Sequence, residues 1–155
     1  MNILILGAGL MQKPAILSAK ELGFTVCVID ANDKAVAIPY AHKFKKIDLK
    51  DKEGILEYAK ELQLEKNGGL AGVFTAGTDF SASVSYVCEN LGLPAHSFLA
   101  ATNASVKTQM RQCFKNHNVP SPEFFSVSKE QIQSESQINQ LLQTLQSLAT
   151  LLPLD

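Results

Sequence analysis

Three short stretches hold the residues whose types and spacing could do chemistry. They are GAGLMQKP at 7–14, Asp30 at the end of TVCVID, and TAGTDFS at 75–81. In the first, Gly7 permits a tight turn and Gly9 lets a ligand come close to the backbone. The helix start beyond them presents N–H groups to an anion. Gln12 stands where a G-x-G-x-x-G turn carries its third glycine, the one that allows helix and strand to pack closely. Its amide is able to bind a substrate there, although the two glycines are equally what the turn itself requires. Asp30 follows the glycines by roughly 20 residues, the separation at which a carboxylate grips a ribose diol. The same carboxylate would also serve as a plain cap of the next turn. Thr78 and Asp79 are placed either to cap a helix or to bind a substrate.

Other chemistries are excluded by spacing. His42, His96 and His117 are scattered, without the i, i+4 pairing that puts metal ligands on one helix face. No GxxxxGK[ST] phosphate loop occurs, and no Ser-His-Asp or Cys-His set can be drawn from the spacing. No catalytic residue and no metal ligand is therefore assigned. Cys27, Cys88 and Cys113 are widely spaced among apolar neighbours and read as reduced core thiols.

The elements that position these residues follow from hydropathy patterning. Residues 3–6, 24–30 and 70–77 are apolar runs of parallel-strand type, with a shorter strand expected around Phe44–Ile47. Between them lie helical stripes. Ala15, Ile16, Ala19 and Leu22 follow Pro14, while Ile55, Leu56, Ala59 and Leu62 follow an Asp51 N-cap. A further helix carries Phe80, Val84, Val87, Cys88 and Leu91, with Thr78 or Asp79 as its start. A short strand or extended piece is expected after Pro94, then a helix capped by Asn103 with Val106, Met110, Cys113 and Phe114 facing inward. PEFFSV reads as a strand, and the last helix bears Ile138, Leu141, Leu142, Leu145 and Leu148.

This alternation predicts an α/β fold: a Rossmann-like parallel sheet flanked by helices over residues 1–102, a linker helix over 103–120, and a short strand–helix extension over 121–155. With 155 residues, 46% apolar and 19% charged, the chain suits one ordinary domain. A net charge of −1 gives no field to draw it to nucleic acid or to an anionic membrane surface. No apolar run reaches the roughly 20 residues of a membrane span. The N-terminus enters a strand directly, without the pattern of a signal peptide, so a cytoplasmic location is expected.

In order, ILILGAGLMQKPAILSAKELGFTVCVID, AIPYAHKFKKIDLKD, GVFTAGTDF and SVKTQMRQCFKNHNVPSPEFF resemble the N-terminal portion of ATP-grasp ligases. The likeness is to the pre-ATP-grasp domain and linker of carbamoyl-phosphate synthase, biotin carboxylase and the purine-pathway carboxylate ligases, over residues 2–127. SVKTQMR followed by NVPSPEF matches the family's D-K-x-x-x-[RK] and G-[VI]-P-x-P, with Val106 at the usual acidic position. The resemblance implies that Gly7, Gly9, Gln12, Asp30, Thr78 and Asp79 line the site of a small-molecule carboxylate or amine substrate. It places Lys107 near the nucleotide phosphates. ATP and Mg2+ would serve the complete enzyme, with none held tightly by this chain, and a homodimer is a candidate assembly. The chain reaches LATLLPLD where the family's ATP-grasp core would begin, so it is expected to be an N-terminal fragment that does not catalyse ligation alone. The apolar stripe of its last helix is then expected to be covered by the preceding domain or by a second chain. The competing reading is the NAD(P)-binding Rossmann domain of a dehydrogenase. GAG and Asp30 support it, whereas Gln12 and the KxxxR…VPSP tail do not.

Overall fold

The computed structural model describes residues 1–151, with side chains to residue 147; Leu148 and the rest of LATLLPLD lie outside the described side chains. Four strands form one parallel sheet in the order β3-β2-β1-β4: β1 (Asn2–Leu6), β2 (Thr25–Asp30), β3 (Lys43–Lys46) and β4 (Leu70–Thr75). Alternate residues of each strand serve opposite faces. Leu4, Leu6, Cys27, Ile29 and Val73 pack with Ile55, Leu56, Ala59 and Leu62 of α2 (Lys52–Gln63) and with Val87 and Cys88 of α3 (Ser81–Leu91). Ile5, Val26 and Val28 pack on the other face with Ile16 and Ala19 of α1 (Lys13–Glu21). The continuous apolar strands are thus continuous because both faces are covered.

The route of the chain creates a topological switch point. From β1 the chain crosses to β2 through α1 on one face, and from β3 it returns to β4 through α2 on the other. Adjacent strands β1 and β4 therefore send their following helices, α1 and α3, to opposite faces. Their connecting loops meet at the C-terminal ends of the strands, the position at which open α/β sheets receive ligands.

The opposite end of the sheet is closed by polar groups. Asn2 is fully buried, and its Nδ2 donates to the Leu62 carbonyl at 3.0 Å and to Glu65 Oε2 at 3.1 Å. Asn67 Nδ2 donates back to Asn2 Oδ1 at 2.8 Å. Lys43 Nζ of β3 donates to Glu65 Oε1 at 2.7 Å. These bonds tie the start of β1 and the edge strand to the end of α2.

Several expected elements form differently. Helix α3 begins at Ser81 with Phe80 in the cap position and no side-chain cap, so neither Thr78 nor Asp79 starts it. After Pro94 the chain forms helix α4 (Phe98–Ser105), not an extended piece: Ser97 caps it by accepting from the Ala100 N–H at 3.2 Å. Asn103 lies inside α4, and the next helix, α5 (Lys107–Asn116), starts after extended Val106, which is exposed. Leu22 lies beyond the end of α1 and is also exposed. PEFFSV forms no strand: neither sheet edge pairs with it, and an apolar stretch makes a strand only where a neighbour takes its backbone hydrogen bonds.

On helix α6 (Glu135–Leu151), Ile138, Leu142 and Leu145 are 43%, 50% and 36% exposed. The preceding domain does not cover that stripe. Among the described residues no helix is long and apolar enough to cross a membrane.

Cys27 and Cys88 are buried and Cys113 is half-buried. Burial pushes the Cys27 thiol up to about 11, which further suppresses its thiolate. Brief alkylation of the native protein at neutral pH, read by mass spectrometry, is expected to modify Cys113 first and to reach Cys27 and Cys88 only after unfolding. Glu65 generates a second prediction. Its hydrogen bond from Lys43, joined by that from Asn2, holds its carboxyl below the usual carboxylate range. A depressed folded-state value stabilises the fold above the unfolded-state value of about 4.3 and loses that contribution as pH falls through the folded one. Denaturant titrations across the acid range should therefore show a shallower loss of stability for Lys43→Met than for the unaltered chain.

Candidate functional site

Three loops meet at the switch point, and all six residues expected to meet the non-nucleotide substrate lie on them or at the strand ends that lead into them. Strand β1 ends in Gly7, whose φ of +98° belongs to the left-handed region that only glycine adopts freely. The Gly7 N–H donates to the Ile29 carbonyl at 2.8 Å, which keeps the turn seated over β2. The Ala8 N–H donates to Asp30 Oδ2 at 2.9 Å, and the Asn32 N–H donates to Asp30 Oδ1 at 2.9 Å. Asp30 thus braces the glycine turn and caps its own loop with the two oxygens of one carboxylate.

Gln12 is 4% exposed, and both ends of its amide are engaged within the protein. Its Oε1 accepts the Gly9 N–H at 2.9 Å, while its Nε2 donates to the carbonyl of Ala76 in the β4–α3 loop. The side chain occupies space that glycine leaves open: a Cβ on Gly7 would lie 3.1 Å from Gln12 Cδ, and one on Gly9 would lie 3.1 Å from Gln12 Oε1.

In the β4–α3 loop, Thr75 Oγ1 donates to the Leu6 carbonyl at 2.9 Å and lies 2.6 Å from Thr78 Oγ1. A hydroxyl has one proton. Since Thr75 gives its proton to Leu6, Thr78 must donate to Thr75, and its own oxygen is left as an acceptor. Asp79 is exposed, and its carboxylate forms no ion pair among the described residues. The acceptors remaining on the β4 side are therefore one hydroxyl oxygen and one free carboxylate.

Lys107 is exposed at the first position of α5. The end of α4 just before it reaches the start of α3, where Ser105 Oγ lies 3.1 Å from Ser81 Oγ. A single residue, Val106, separates Ser105 from Lys107, so the β4–α3 loop and the start of α5 share one side of the domain. Among the described residues no three His, Cys, Asp or Glu converge to hold a metal ion.

Two side chains beside the cleft carried no sequence signal. Lys13, at the first position of α1, donates through Nζ to Tyr40 Oη at 2.9 Å and lies 4.1 Å from the Tyr40 ring centroid. Tyr40 is brought there by the β2–β3 connection, which is anchored to the glycine turn where the Ala37 N–H donates to the Ala8 carbonyl at 2.8 Å. Thr75, inside a motif but overshadowed by Thr78 and Asp79, is the other; only its contact with Leu6 reveals it.

Comparison with known proteins places this geometry. The domain superposes on phosphoribosylglycinamide synthetase from Anaerococcus prevotii with TM-score 0.69 and 25% identity, covering 92% of this chain and 34% of that one. L-amino acid ligase from Bacillus licheniformis superposes with TM-score 0.65 and 20% identity over 80% of this chain and 30% of its own. N5-carboxyaminoimidazole synthetase from Staphylococcus aureus, in complex with ADP, gives 0.65 and 17% over 92% and 35%. The chain spans about a third of the length of these structures. No curated protein matches it in sequence. A sequence model described as the ATP-grasp N-terminal domain matches residues 16–95, just over half of the chain. The chain belongs to the ATP-grasp N-terminal domain family.

Proposed function

We propose that this chain is the substrate-binding N-terminal domain of an ATP-dependent carboxylate–amine ligase of the cytoplasm, and that the switch-point cleft receives the non-nucleotide substrate. One observation carries this reading: two loops are held face to face at the switch point with Thr78 Oγ1 and the Asp79 carboxylate left as acceptors. Acceptors suit an amine or hydroxyl donor, and the Lys13 ammonium at the first position of α1 suits an anionic group. A small molecule bearing an amine or hydroxyl at one end and a carboxylate or phosphate at the other satisfies the two sides. The names of the similar structures, a phosphoribosylglycinamide synthetase and an L-amino acid ligase, fit that class.

On this reading Thr78 and Asp79 face the ligand's polar end, while Gly7, Gly9, Gln12 and Asp30 form the braced turn that backs it. Lys107, a compact point charge, belongs to the nucleotide side. ATP and Mg2+ serve the complete ligase, in which they activate the carboxylate as an acyl phosphate. Phosphoryl transfer depends on positioned metal ions and cationic clamps. This chain therefore contributes substrate binding and not the ligation step.

Thermal unfolding with a panel of amino acids, ribose 5-phosphate, ATP and NAD tests the proposal. A ligand at about 100 times its Kd stabilises the folded state by ~2.7 kcal/mol, a rise of roughly 5–10 °C for a chain of this size. An amino acid or ribose 5-phosphate is expected to give such a rise. Asp79→Asn should weaken the binding about tenfold, the value of a hydrogen bond to a charged group. A rise with NAD alone, lost in Asp30→Asn, would overturn the reading in favour of a dinucleotide-binding domain.

A further inference from the structure

Among the described residues, Gln12 is the one side chain that hydrogen-bonds both the β1–α1 and the β4–α3 loop. Its amide joins the Gly9 N–H of the β1–α1 loop to the Ala76 carbonyl of the β4–α3 loop, 64 residues away in sequence. It is buried, so it does not rely on a ligand to be satisfied. Its neighbours are shaped around it: the Cβ positions of Gly7 and Gly9 would both crowd its carboxamide. Next to it, Met11 backs the second loop, where a Cβ on Gly77 would lie 3.0 Å from Met11 Cβ and φ is +65°. In the dinucleotide turn a third glycine makes room for the helix to close on the strand. Here the room left by two glycines is filled by an amide that reaches across the switch point.

We infer that Gln12 is a positioning residue: a two-ended strut that fixes the separation of the two loops before substrate arrives, and does not itself touch the substrate. The inference rests on the cleft being the substrate site, but its first test needs no ligand. Gln12→Glu keeps the length and the oxygen that accepts from Gly9. At neutral pH, however, its carboxylate places an acceptor against the Ala76 carbonyl where an N–H had donated. Protonation restores a donor, and burial raises the pH at which that happens. Gln12→Ala removes both ends at every pH.

Amide shifts of Ala76, Gly77 and Thr78, followed by NMR in the ligand-free chain, read the strut directly. Gln12→Glu is expected to lose the native shifts there at neutral pH and to recover them on acidification, with the unaltered chain at each pH as reference. Gln12→Ala should not recover. Native shifts for Gln12→Glu at neutral pH, or a disturbance that acid leaves unchanged, would overturn the inference. Ribose 5-phosphate titration supplies the second test. A strut predicts binding to Gln12→Glu that is weakened about tenfold, as for one lost hydrogen bond of a preorganised loop, and that recovers in step with the amide signals. Weakened binding with native amide signals would mean direct contact and would overturn it. If the unaltered chain fails to bind any member of the panel, the site reading fails, while the amide signals still decide the strut.

Discussion

Burial of β1 on both faces is the constraint on which the rest of the structure depends. Leu4, Ile5 and Leu6 are fully buried, and they alternate between two separate cores. A strand covered on both sides must pair on both edges as well, because no water reaches its amide groups. β1 pairs with β2 on one edge and β4 on the other, and the helices that follow β1 and β4, α1 and α3, pack on opposite faces. The switch point lies between those two strands.

The two ends of the sheet use polar groups in opposite ways. At the N-terminal end Asn2, Asn67, Glu65 and Lys43 bond to each other and to the end of α2, closing the domain. At the C-terminal end Gln12, Asp30 and Thr75 bond to backbone groups of the loops, which shapes the opening without filling it. No buried side-chain nitrogen or oxygen among the described residues lacks a hydrogen-bond partner. The side-chain acceptors that these loops do not use among themselves are the Asp79 carboxylate and the outer lone pairs of Thr78.

The cleft's own residues were legible in the sequence to different depths. The glycine turn was readable because φ above zero and close approach leave few alternatives to glycine. The strands were readable as continuous apolar runs, and helices α1 to α3 because a 3.6 period survives in nine or more residues. Helix α4 was missed although Ser97 is an ordinary N-cap, because Pro94 suggested extended chain and the apolar run beyond it is short. The PEFFSV strand was over-read for the reverse reason: β-type composition was present and a neighbouring strand was not. The stripe on α6 shows the same limit, since periodicity says that a face is apolar and nothing about what lies against it.

By itself the sequence determined the α/β class, the order of its elements and the loops at which a ligand could meet backbone, because these rest on local sterics and periodic burial. The tertiary structure alone decided which polar atoms in those loops remain available. Ala8 with Asp30, Gln12 with Ala76 and Thr75 with Leu6 pair across 22, 64 and 69 residues. A hydrogen bond closed over such distances leaves no trace in local spacing, so only the packed sheet could show Gln12 joining the β1–α1 and β4–α3 loops.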